Sequence, residues 1–139
     1  MGTNSVALTL TLKPVGKPWI RVRLNGSVCL EIQLADTVSL KLAPECDTKC
    51  LLEVEHFAKQ DNDPDTAVIV ENIDFFGISD PRFVWTGTYY PDYPEHYENK
   101  RSELPGQGYL GWNGVYRLEF DVPVFTWIHR TLNMGWLYD

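Results

Sequence analysis

Residues 61–65 read Asp-Asn-Asp-Pro-Asp, three carboxylates in five positions. Carboxylate, amide and carbonyl oxygens are hard ligands, and calcium takes about six to eight of them. Asp61, Asp63 and Asp65 are therefore the candidate metal ligands, and calcium is the ion they would suit. They do not form an EF-hand. The glycine such a loop needs at its sixth position is Thr66, and its closing glutamate is Asn72. The plainer alternative is a solvated turn, where Asp, Asn and Pro are favoured for their backbone geometry.

A second group of residues offers recognition rather than catalysis. Trp85, Tyr89, Tyr90, Tyr93, Tyr97, Tyr109 and Trp112 crowd one stretch of a chain that is 13% aromatic. Flat exposed rings pack on the C–H faces of sugars, and the same side chains anchor protein–protein contacts. These seven are the candidate ligand-binding residues. For most of the rings the plainer alternative is a small core that pins the loop to the body. Trp112, set between Gly111 and the Asn113-Gly114 turn, reads as a plug at one end of the fold.

Catalysis finds little support. His56 alternates with Leu52 and Val54 and so points inward; His96 lies in the Tyr-rich stretch and His129 on a helical apolar face. There is no HExxH and no nucleophile motif. Glu95, Glu98 or Glu103 paired with Asp92 would be the carboxylates for glycosidic cleavage, but loop acids are usually solvated. The expectation is a protein that is not an enzyme. Cys29, Cys46 and Cys50 lack the spacing of a zinc site; Cys46 and Cys50 either pair across a loop or stay reduced.

The elements that must carry these residues are strands. Alternation runs through Val6–Leu12, Trp19–Leu24, Ser27–Leu34 and Thr37–Leu42, with Asn25-Gly26 as a two-residue hairpin turn. "CLLEVEHF", "TAVIVENIDFFG", "FVWTGTYY" and "VYRLEFDV" continue the series. Between the last two lies a long aromatic loop from Pro91 to Gly114, with neither helical nor strand period. Phe125, Ile128, His129 and Leu132 then fall on one helical face, and Gly135 marks the stop, with "GWLYD" folded back onto the body. One apolar and one polar face per strand predicts an all-β, antiparallel, jelly-roll-like β-sandwich of seven to nine strands, ending in a short C-terminal helix. The length predicts a single domain over residues 1–139.

A net charge of −7 argues against a nucleic-acid partner, which needs a basic patch. No apolar run is long enough for a membrane helix, and the N-terminal stretch lacks the pattern of a signal peptide.

With the strands in order, residues 17–78, including "CLLEVEHFAKQDNDPDTAVIVENIDFFGI", resemble calcium-dependent xylan-binding carbohydrate-binding modules. The shared pattern is a strand with an apolar tail, a polar loop, and a next strand with Ile73 through Gly77 at its end. The resemblance implies a β-sandwich that recognises glycan without cleaving it, and a calcium ion held by acidic loop residues. It does not carry over ligand by ligand to this loop. The second half resembles uncharacterised proteins of tailed phages, which implies a virion-associated protein made in the host cytoplasm. The expected partner is then a glycan; the alternative is a capsid or tail structural protein that contacts virion subunits or forms a homo-oligomer.

Overall fold

A computed structural model of the chain describes residues 4–60, 62, 63, 65–93 and 101–132. In chain order the elements are β1 (Asn4–Ser5), β2 (Leu8–Val15), β3 (Trp19–Leu24), β4 (Ser27–Gln33) and β5 (Val38–Leu42). They continue as β6 (Glu45–Cys46), β7 (Lys49–Phe57), β8 (Ala67–Phe75) and β9 (Ile78–Ser79). Then follow α1 (Pro81–Thr86), β10 (Thr88–Pro91), β11 (Leu104–Pro105), β12 (Tyr109–Leu110), β13 (Gly114–Asp121) and α2 (Val124–Thr131).

Two antiparallel sheets form the sandwich. One runs β11-β10-β13-β7-β3-β4 and the other β12-β8-β2-β5, with β9 folded onto β8. Their facing residues are the ones the alternation marks. Leu8, Leu10 and Leu12 from one sheet meet Ile20, Val22, Leu52 and Val54 from the other, all fully buried. β8 changes parity midway: Val68 and Val70 point inward, then Ile73 and Phe75 do. The register explains it, since Thr11 pairs with Asn72 and Leu12 with Val70, leaving Glu71 as an inserted bulge residue.

Two expectations need correction. The "FVWT" segment is a helical turn, not a strand. Asp80 accepts the Arg82 backbone N–H in N-cap position, and Pro81 opens the helix, a pairing that outweighs the β-propensity of Phe, Val and Trp. Only Thr88–Pro91 of that segment joins the sheet. The loop from Pro91 to Gly114 also holds strand structure, because β11 pairs with β10 and β12 with β8. Pairs of two residues are too short to leave a period. Cys46 and Cys50 are joined as a disulfide, with Cα atoms 5.8 Å apart.

The sandwich has two unlike ends. At one, α1 and α2 close the core with an aromatic cluster: Phe75 lies 5.1 Å from Phe83, 4.9 Å from Phe120 and 5.5 Å from Trp127 between ring centroids. At the other, β7 stops at Phe57, β8 begins at Ala67 and β13 begins at Gly114, so the acidic turn and the aromatic stretch meet there. No helix among the described residues is long and apolar enough to cross a membrane.

Candidate functional site

The loop end is built around Lys59. After Phe57 the chain turns through Ala58 at φ 61°, in the left-handed region, and this sends the Lys59 side chain inward, where it is only 8% exposed. Its Nζ donates to the Thr66 carbonyl at 2.7 Å and the Gly111 carbonyl at 2.6 Å. The same nitrogen lies 4.5 Å from the ring centroid of Trp112, a cation–π contact. Asn113 clamps the lysine's backbone from both sides, accepting from its N–H at 2.8 Å and donating to its carbonyl at 3.0 Å. Burial pushes the Lys59 pKa down, and the charges of Asp63 and Asp65 pull it back up.

Asp63 organises the acidic turn. Its Oδ1 accepts the backbone N–H groups of Asp65 and Thr66, each at 3.1 Å, while its Oδ2 takes the Thr66 hydroxyl. These bonds, the Thr66 hydroxyl first, hold the Asp63 pKa below the usual carboxylate value. Asp65 is exposed, and Asp61 lies outside the described residues. No group of three or more His, Cys, Asp or Glu able to hold a metal is found among the described residues.

Buried tyrosine and histidine tie this end to the core. Tyr89 is 1% exposed; its hydroxyl donates to the Trp112 carbonyl and accepts the Trp112 N–H at 3.1 Å. Burial raises its pKa far above the ordinary tyrosine value. Tyr89 thus belongs to the core, where no ligand reaches it. His56 is fully buried on β7 and donates from Nδ1 to the Leu110 carbonyl at 3.0 Å, a bond between the two sheets. Burial lowers its pKa, opposed by the carbonyls of Leu110 and Trp112. Its inward position is the one the alternation predicts.

The other candidate rings separate. Tyr90 is 40% exposed and points the opposite way from Tyr89, out of the six-stranded sheet. It lines a depression of about 300 Å³ with Leu51, Thr86, Thr88, Arg117 and Glu119. Thr88 pairs directly with Arg117 across the strands, and Tyr90 with Val115, so strand alternation assembles this patch. Arg117 Nε lies 3.3 Å from a Glu53 oxygen, and Lys49 Nζ donates to Glu119 at the same distance. Lys49, Glu119 and Arg117 are exposed or half-exposed, while Glu53 is largely covered. Trp85, 60% exposed, sits beside Thr86 in sequence on α1. Tyr109, 48% exposed, belongs to β12 in the other sheet. Trp112 and Tyr93 are partly buried near the loop end, and Tyr97, Glu95, His96 and Glu98 lie outside the described residues, as does "GWLYD".

Among the described residues, the candidate rings therefore do not form one surface. Thr86, Thr88, Arg117 and Glu119 escaped sequence reasoning, although the outward parity of "VYRLEF" placed Arg117 and Glu119 on one face. Lys59 carried no signal at all, since a lysine after a strand reads as solvated.

No family model matches the chain, and no curated protein matches it. Its fold is similar to the solved structure of vCBM60 in complex with galactobiose, with a TM-score of 0.56 at 13% identity over 83% of this chain and 97% of that one. The chain shares the two-sheet fold of that structure. A selenomethionine form of vCBM60 gives the same TM-score at 11% identity, over 83% of this chain and 90% of that one. That structure is described as linking two families of calcium-dependent carbohydrate-binding modules by circular permutation. The fold thus agrees with the module resemblance and with the predicted antiparallel sandwich.

Proposed function

We propose that this chain is a non-catalytic carbohydrate-binding module that contacts glycan on the outer face of its six-stranded sheet, at the Tyr90 depression. The observation that carries this reading is a half-exposed tyrosine ring set beside two threonine hydroxyls, a guanidinium and a carboxylate in one concavity. A ring supplies the apolar platform for a sugar face, and the polar groups supply hydroxyl partners. The vCBM60 fold, seen there with galactobiose, supports the class of ligand. Glycosidic cleavage needs two carboxyl groups, and Glu119 is the one carboxylate lining this depression among the described residues.

The test is calorimetry with xylan- and galactan-derived oligosaccharides on wild type, Tyr90→Ala and Glu119→Gln. Binding by wild type that falls tenfold or more in Tyr90→Ala, with the melting temperature kept, supports the site. Equal binding by the variant overturns it.

A second reading is a structural component of a phage particle that works through protein contacts. Its support is an exposed apolar pair: the rings of Phe76 and Phe125 lie tilted against each other with centroids 5.0 Å apart, and Ile78 is exposed as well. Light scattering separates the two, because this reading expects a stable oligomer that Phe125→Ser dissolves.

A further inference from the structure

The acidic turn invites a calcium ion, yet its counter-charge is already built into the chain. We propose that the Lys59 ammonium is the resident cation of the loop end, bracing the acidic turn against the aromatic stretch so that this end of the fold needs no calcium. The inference is independent of where glycan binds.

Placement carries the argument. Lysine is almost never so buried unless its nitrogen is partnered, and here the two carbonyl partners come from different segments. One carbonyl belongs to Thr66, where the acidic turn closes, and the other to Gly111 in the aromatic stretch, 52 residues away in sequence. The face of Trp112 covers a further side. A bound divalent ion would gather carbonyl and carboxylate oxygens from two loops in the same manner.

The turn is also poorly disposed to share its oxygens with an ion. Three donors already sit on the two oxygens of Asp63, and they tie it to Asp65 and Thr66. The positive charge of Lys59 also raises the energy of any second cation brought to the same carboxylates. Lys59 is held at both ends, its backbone N–H and C=O by Asn113 and its ammonium by the two carbonyls. The calcium expected from Asp61, Asp63 and Asp65 thus gives way to an ammonium group held by the carbonyls of Thr66 and Gly111.

Wild type and Lys59→Met are to be compared by calorimetry with calcium chloride and by thermal melting in calcium or EDTA. A resident site held at a hundredfold its Kd would raise Tm by roughly 10 °C. The expected result for wild type is no saturable heat and the same Tm in both buffers. Lys59→Met, which keeps the chain length and loses the donors, is expected to melt roughly 5–10 °C lower. Saturable calcium binding with an EDTA-reversible rise in Tm would overturn the proposal, and so would a Lys59→Met variant as stable as wild type. Should that variant not fold, the wild-type calcium titration decides alone. Neither readout involves sugar, so failure here is distinct from failure of the glycan site.

Discussion

The loop end and the Tyr90 depression are made from the same kinds of residue and use them in opposite ways. At the loop end a lysine is held by two carbonyls, an asparagine and a tryptophan ring, an aspartate is held by the turn it closes, and the lysine is almost closed to water. On the outer sheet face a tyrosine, an arginine and a glutamate stand half open, and the ion pair of the glutamate with Lys49 lies in solvent. Polar groups that are mutually satisfied and dry add specificity to a fold but have little left to offer a ligand. Groups held by a rigid strand and only loosely paired keep their capacity to bind. Tyr89 and Tyr90 show the contrast in adjacent residues: one is a buried tether for Trp112, the other an open platform.

Four experiments would break or sharpen this contrast. The largest effect belongs to Gly87→Ala. A Cβ there would run into the Tyr116 ring, whose hydroxyl donates to the Val84 carbonyl at 2.7 Å. Overpacking of this kind costs about 3 kcal/mol, to be read from urea unfolding. Since Gly87 lies between Thr86 and Thr88, glycan binding should suffer with it.

Next comes Asn113→Ala. It leaves both backbone groups of Lys59 without their partner and should cost about 2 kcal/mol of stability. Oligosaccharide affinity of the folded protein should hold, and a parallel loss of affinity would mean that the two regions are one site. Tyr90→Ala is the converse. Stability should stay within about 0.5 kcal/mol, while glycan affinity falls by about tenfold, or 1.4 kcal/mol.

The smallest effect is one of pH. Burial keeps the folded His56 pKa below its ordinary value near 6.5. Between those two values the unfolded chain binds more protons than the native one, so stability falls as pH drops through 6.5 and is level above it. In His56→Gln that slope should vanish in melts between about pH 5 and 8. A slope that survives would assign it to another group.

The candidate site was less legible than the fold. Strand faces are local: side chains alternate along the backbone, so "VALTLTL" and "WIRVRL" announce their inner residues without reference to anything distant. The helix at Pro81–Thr86 was also readable, because Asp80-Pro81 is a helix-start signal, but the β-rich residues behind it masked the cue. The two-residue strands within the aromatic stretch had no such cue, since pairing partners alone create them.

What the sequence determined by itself is the antiparallel sandwich, the inward turn of His56 and the short helix near the C-terminus, all consequences of local periodicity. Tertiary structure alone decided which rings stay exposed, which strands bring Tyr90 beside Arg117, and that the Lys59 ammonium is held by the carbonyls of Thr66 and Gly111. Those outcomes depend on contacts between segments far apart in the chain, and no spacing within one segment encodes them.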